Sequence, residues 1–244
     1  MVGERIRLDQ ALVAQGLVTS RERAQTMVRA GLVRVDGHEV DQPDRLVDPA
    51  VGLELRGSSE YVSRGGEKLA AALDTFSVSI PGRACLDVGA STGGFTDVLL
   101  RRGAASVIAV DVGYGQLAWA LRQDPRVTVL ERVNVRYLEQ LPASVDLAVI
   151  DVSFISLRLV LPPVHRLLSK PADVIALVKP QFEVGKGSLG KGGVVRNADQ
   201  HLAVLYGLKE FAASTGYAVI GETPSPILGA KGNREFFLHL RLHD

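Results

Sequence analysis

Cysteine is nearly missing from this chain of 244 residues; Cys85 stands alone. One thiol can build neither a disulfide framework nor a cysteine-rich metal site. Cys85 sits in an apolar run and reads as a small buried hydrophobe. No uninterrupted apolar run approaches the ~20 residues that a membrane-crossing helix needs. Glu4, Arg5, Arg7 and Asp9 break up the N-terminus, where a secretory signal would be apolar. These absences predict a cytoplasmic protein with no membrane partner. His165, His201, His239 and His243 fall at ordinary helix or strand positions, without ligand or triad spacing. No metal is therefore expected. Internal repeats and low-complexity tracts are absent, and the sequence carries no mark of oligomeric state.

Net charge is also nearly absent, at +1, but the charges are unevenly spread. Arg5, Arg7, Arg21, Arg23, Arg29 and Arg34 outnumber the acids of residues 1–35, whereas residues 36–60 are mostly acidic. With 46% hydrophobic and 23% charged residues, the chain has an ordinary globular composition. Its length suits one medium domain preceded by a small one.

Residues 1–57 read as the small domain. Leu8–Gln15 has helical periodicity and stops at Gly16. Thr19 or Ser20 caps a second helix over 21–30, which stops at Gly31. Residues 32–35 alternate like a strand, Asp36-Gly37 is a tight hairpin turn, and 38–40 and 51–55 supply further strands. Through Arg5, Leu8, Asp9, Leu12, Ser20-Arg21, Ala24, Val28, Gly31, Val33 and Val35-Asp36-Gly37 this region resembles the S-four-like RNA-binding domain. The resemblance implies that Arg5, Arg21, Arg23 and Arg29 face RNA phosphate, which suits the bidentate guanidinium fork. A solvated charged face is the alternative for any one of them. Residues 58–66, small and polar, read as a linker.

From 67 to 244, strands alternate with helices. Strands fit 84–88, 106–111, 127–130, 145–151, 172–178, 217–223 and 235–242. Helices fit 67–76, 94–102, 115–122, 156–169 and 198–215. The alternation predicts an α/β fold, a mostly parallel seven-stranded sheet with helices on both faces. The last two strands lack a helix between them and so form an antiparallel hairpin. Leu86 to Phe95 joins a buried strand to a helix through a glycine-rich turn, a place where backbone approaches an anionic or nucleotide ligand closely. The pattern is D-x-G-x-x-x-G-G, not the dinucleotide G-x-G-x-x-G. It resembles the first motif of S-adenosylmethionine-dependent methyltransferases. Candidate cofactor residues are Asp87, Gly89, Ala90, Ser91, Thr92, Gly93, Gly94 and Phe95. Asp111 ends the next strand and is placed to accept from both ribose hydroxyls. Asn134 follows the third strand, with a contact to adenine and a plain turn as equal readings.

Asp151 ends the fourth strand in Asp-Val-Ser-Phe, not in the Asn-Pro-Pro-aromatic type of motif used on base amines. Lys179 ends the fifth strand. Lys68 opens the first helix after the linker, and Glu235 opens the last strand. The order Lys68–Asp151–Lys179–Glu235 resembles the tetrad of FtsJ-like ribose 2′-O-methyltransferases, and residues 4–242 together resemble the TlyA family of ribosomal RNA methyltransferases. The resemblance implies S-adenosyl-L-methionine as cofactor, ribosomal RNA or a ribosomal subunit as partner, and transfer to the ribose of cytidine. The large subunit is favoured, with the small subunit also open. Lys179 is the expected base, with Asp151 holding it and the acceptor hydroxyl; a neighbouring Lys68 and partial burial would favour its neutral form. Lys186, Lys191 and Arg196 lie in a glycine-rich basic stretch (183–196) that reads either as a lid over RNA or as a surface loop. A non-catalytic ribosome-assembly factor is the alternative function. A haemolysin, a label that members of the family carry, is less compatible with a nucleotide pocket.

Overall fold

The computed structural model describes residues 5–18, 20–29, 31–55, 61–185, 190 and 192–243, apart from the side chain of Ala230. The chain divides into two compact units, Met1–Ser58 and Ser59–Asp244.

In the first unit, β1 (Ile6–Arg7) runs into α1 (Leu8–Ala14), followed by α2 (Arg21–Arg29), β2 (Val33–Val35), β3 (His38–Glu39), β4 (Leu46–Val47) and β5 (Leu53–Leu55). Gly16 and Gly31 take φ of +71° and +69° just past the helices, a backbone that glycine adopts without a Cβ penalty. The Ser20 hydroxyl accepts from the Arg23 N–H at 3.2 Å, the expected cap; Thr19 lies outside the described residues. Asp36 and Gly37 both have positive φ, as the turn between β2 and β3 requires. β2 pairs with β3 and β5, both antiparallel. The β1–β4 pair has no counterpart in the sequence reading, because two residues carry no alternation. Leu8, Leu12, Ala24, Val28 and Val33 form the core.

The second unit contains α3 (Arg64–Phe76), β6 (Ala84–Val88), α4 (Gly94–Arg101), β7 (Ser106–Asp111), α5 (Trp119–Arg122), β8 (Val127–Glu131), β9 (Leu147–Ile150), α6 (Leu161–Leu167), β10 (Ala172–Val178), α7 (Pro180–Glu183), α8 (Ala198–Ser214), β11 (Ala218–Pro224) and β12 (Phe236–Leu242). The sheet order is β11-β12-β10-β9-β6-β7-β8. β12 runs antiparallel to both of its neighbours, β10 and β11. Alternate residues divide between the two faces, as a two-residue period demands. Cys85, Val107, Leu147, Ile175 and Phe237 pack with α3 and α4. Leu86, Ile108, Ala148, Val174 and Leu240 pack with α6 and α8. Burial pushes the Cys85 thiol up to about 12.

Three helices differ from expectation. α3 starts at Arg64, inside the stretch expected as a linker. Gly66 and Gly94 mark close packing here, not flexibility: a Cβ on Gly94 would lie 2.2 Å from Ser63 Oγ and 2.9 Å from the Gly66 nitrogen. The helix expected over 115–122 shortens to Trp119–Arg122 because Gly115 takes φ +69°. The helix expected over 156–169 divides into a 3₁₀ turn at Leu157–Leu159 and α6. Pro162 stands in the first turn of α6, where no N–H is needed.

The amino-terminal ends of β6, β9 and β10 are tied by charge. Arg83 donates to Asp146 at 3.0 Å and to Asp173 at 2.8 Å. Asp173 also meets His239 Nε2 at 2.8 Å and Arg241 Nε at 2.9 Å. Burial alone would raise the Asp173 carboxyl, but these three donors outweigh it and hold it well below the usual range.

Candidate active site

The opposite, carboxyl-terminal ends of the strands open on a cleft of about 980 Å³. It lies at the point where chain order reverses beside β6, the usual ligand crevice of an open α/β sheet. Glycine at 89 is dictated by a close approach. Its φ is +87°, and a Cβ there would stand 2.5 Å from the Asp151 carbonyl oxygen. The loops after β6 and β9 can pass each other only because that atom is missing. Gly89, Ser91, Asp111, Asn134 and Asp151 line the cleft. Ala90, Gly93, Gly94 and Phe95 lie behind it, buried, and Phe95 belongs to the core beside Phe237. Thr92 is half-buried and its carbonyl accepts from the Ala118 N–H at 3.1 Å. These residues shape the turn; they do not face the cavity.

Asp111 accepts from the Ser91 N–H and the Gly113 N–H, each at 2.7 Å and each at a different oxygen. Every carboxylate oxygen has a second lone pair, so two hydroxyls can still be received. Asp87 is fully buried and accepts from Thr96 Oγ1 at 2.6 Å. Burial pushes its carboxyl up to about 7; Thr96 opposes this, and the charges of Asp151 and Asp111 add to it. The other oxygen of Asp87 has no partner among the described residues. Asn134 accepts from the Arg136 N–H at 3.1 Å; it both forms a turn and lines the cleft.

The four expected catalytic residues gather at the carboxyl-terminal end of the sheet. Val178 pairs with Phe236, so Lys179 and Glu235 lie one step beyond that ladder. Ile150 pairs with Ala176, so Asp151 follows β9 on the other side of β10. Lys179 Nζ lies 2.6 Å from Asp151 Oδ1, and Lys68, carried on α3, donates to Glu235 Oε2 at 2.6 Å. Each lysine is matched with a carboxylate. Glu235 is only 4% exposed, and Lys68 meets it with opposite charge.

Four residues of the site, Ser153, Phe154, Phe182 and Glu183, have no role assigned from the sequence alone. Ser153 Oγ accepts from Lys179 Nζ at 2.8 Å. Phe154 is 91% exposed with φ +64°, a strained backbone for a bulky residue. Its ring centre lies 5.0 Å from that of Phe182, and both rings line the cleft. Glu183 accepts from Ser156 Oγ at 2.6 Å and from the Leu157 N–H at 2.8 Å. Burial raises its carboxyl, against those two bonds. Adjacent to the cleft, the Arg132 guanidinium stacks on exposed Tyr114 at 4.3 Å, and Arg136 stacks on exposed Tyr137 at 5.1 Å.

Of the expected RNA-facing residues, Arg5, Arg23, Arg29 and Arg196 are exposed. Arg21 is partly committed within its own unit, 3.4 Å from Asp9. Asp9 also accepts from Arg7 and Gln25. The Arg7 bond first, then Gln25 and Arg21, outweigh the cost of burial and hold the Asp9 carboxyl at about 2. Lys186 and Lys191 lie outside the described residues.

Comparison with known proteins fits this geometry. Residues 61–242 match the FtsJ-like methyltransferase model, and residues 6–51 match the S4 domain. The chain is 49% identical over 244 residues to the 16S/23S rRNA (cytidine-2'-O)-methyltransferase TlyA of Mycobacterium tuberculosis strain H37Rv, covering 98% of this chain and 91% of that one. The chain belongs to the TlyA family. Another member, the 23S rRNA (cytidine-2'-O)-methyltransferase TlyA of Campylobacter jejuni, is 36% identical over 82% of this chain and 78% of its own length. A solved structure described as a hemolysin from Streptococcus thermophilus has a TM-score of 0.78 and 46% identity, covering 98% of this chain and 89% of that one. The TlyA-family fold here has no helix among its described residues long and apolar enough to cross a membrane.

Proposed function

We propose that this TlyA-family chain is an S-adenosylmethionine-dependent 2′-O-methyltransferase acting on cytidine ribose of ribosomal RNA in the cytoplasm. The observation that carries the reading is the pair of lysine–carboxylate contacts at the carboxyl-terminal end of the sheet, beside a cleft large enough for a nucleoside. The cleft suits the cofactor. Gly89 provides the close backbone approach, Asp111 retains lone pairs for ribose hydroxyls, and Asp87 has an unpartnered oxygen behind the turn. Bound S-adenosylmethionine would supply the methyl group, carried on a sulfonium that leaves as a neutral thioether.

The protein's task is to hold the acceptor and take its proton. Lys179 receives the 2′-hydroxyl proton and with it the positive charge. Asp151 orients Lys179 and stabilises that charge. Lys68 and Glu235 hold the neighbouring wall. Positioning of the hydroxyl supplies most of the remaining acceleration. Phe154 and Phe182 offer flat apolar faces against which an extruded base can rest, and the Arg132–Tyr114 stack suits single-stranded RNA. The exposed arginines of the S4 unit contact phosphate. The relative at 49% identity is named for both ribosomal subunits and the one at 36% for the large subunit; the large subunit is the first substrate to test.

The test is transfer of labelled methyl to ribosomal subunits that lack the modification. The expected product resists alkaline cleavage at one position, and Lys179→Ala lowers the rate by about 10²–10⁴-fold while cofactor affinity stays within about threefold. Label on a base, or a Lys179→Ala enzyme with undiminished rate, contradicts the reading.

A further inference from the structure

Ser153 holds a place that the Lys–Asp–Lys–Glu set does not explain. An amine nitrogen has three directions besides its own carbon. Ser153 Oγ accepts a hydrogen bond from Lys179 Nζ at 2.8 Å. Asp151 Oδ1 lies 2.6 Å from the same nitrogen as a charge contact, without hydrogen-bond geometry. With Ser153 and Asp151 on two sides, the remaining side of the amine is where an acceptor hydroxyl must lie to give up its proton.

The loop carrying Ser153 is fixed in a way that a surface turn does not require. Phe154 follows with φ +64°, a conformation that persists in a bulky residue only where its surroundings enforce it. Glu183 provides the enforcement. Its two oxygens take the Ser156 hydroxyl at 2.6 Å and the Leu157 N–H at 2.8 Å. Glu183 belongs to α7, which begins at the residue after Lys179. The loop with Ser153 and the strand end with Lys179 are thus anchored to the same short helix.

We propose that Ser153 is a positioning residue for methyl transfer: it fixes the rotation of the Lys179 amine, and the Glu183 clamp keeps it there. The proposal rests on Lys179 being the proton acceptor.

Wild type, Ser153→Ala, Ser153→Thr and Lys179→Ala are compared in single-turnover methyl transfer to ribosomal subunits, with cofactor affinity measured by calorimetry. The ¹H–¹⁵N signal of the Lys179 amine is recorded on the free protein. Ser153→Ala is expected to lower the single-turnover rate about tenfold while leaving cofactor and RNA affinity within about twofold. Its amine signal broadens, because the hydrogen bond that fixes its rotation is gone. Ser153→Thr keeps the hydroxyl and restores both rate and signal. An unchanged rate and signal in Ser153→Ala overturns the proposal, as does a loss explained by weaker binding or a Ser153→Thr protein as poor as Ser153→Ala. If Lys179→Ala transfers as fast as wild type, or wild type transfers to no subunit, the functional reading fails and the proposal falls with it. A Lys179→Ala loss with an unaffected Ser153→Ala fails the proposal alone.

Discussion

Both ends of the large sheet are lined with charged side chains, and the two sets behave differently. At the amino-terminal end, Arg83, Asp146, Asp173, His239 and Arg241 bond to one another across four strands or their edges. At the carboxyl-terminal end, Asp111, Asp151 and Ser153 face a cleft, and positive φ occurs at Gly89, Ser91 and Phe154. Charge met by opposite charge is structure; charge that leaves a valence toward a cavity, on strained loops, is chemistry. The comparison makes opposite demands on the two ends.

The largest expected effect on stability is at the matched end. Asp173→Asn removes the charge that three donors share. A loss of about 3 kcal/mol is expected, seen as a fall in Tm of roughly 6–12 °C, with methyl transfer at 20 °C within about threefold of wild type. Acid sharpens the same point. The folded Asp173 carboxyl lies below its ordinary value of 3.8, so its contribution is complete above that value and disappears as pH falls through the folded one. Tm of the wild type should therefore drop below about pH 4, and that of Asp173→Asn should drop less. Equal slopes in calorimetry would remove Asp173 from the account.

Gly89→Ala attacks the other end through its backbone. The added Cβ meets the Asp151 carbonyl at 2.5 Å on a residue with φ +87°. A destabilisation of about 2 kcal/mol should come with a loss of cofactor affinity of at least tenfold, read by calorimetry. The smallest effect is the most specific. Phe154→Gly relieves the left-handed strain and should raise stability by about 0.5–1 kcal/mol, yet lower transfer because the exposed ring is gone. A variant that is less stable and fully active would break the distinction between the two ends.

Much of this was legible in the sequence for local reasons. Apolar runs, the turn at Leu86 to Phe95 and the strand-end positions of Asp151 and Lys179 follow from short-range pattern, and the resemblance linked Lys68 and Glu235 to them. What was missed depends on meetings between distant segments. Ser153 is 26 residues from Lys179, and Glu183 is 27 from Ser156; a serine or glutamate in a loop has no periodicity to betray its partner. The glycines at 65 and 66 read as a linker because sequence shows that Cβ is missing but not that Phe95 of α4 lies against Gly65 and the Tyr61 side chain against Gly66. Gly93, Gly94 and Phe95, expected as ligand contacts from their place in a motif, are buried and support the turn.

The most direct measurement sets the two ends side by side in one preparation. Single-turnover methyl transfer to ribosomal subunits and Tm are determined for Lys179→Ala and Asp173→Asn. The account predicts a double dissociation: Lys179→Ala loses about 10²–10⁴-fold in rate and stays within about 3 °C of wild type, while Asp173→Asn keeps its rate and loses its stability. A Lys179→Ala protein that unfolds early and still transfers methyl, or an Asp173→Asn protein that is stable and inactive, would contradict it.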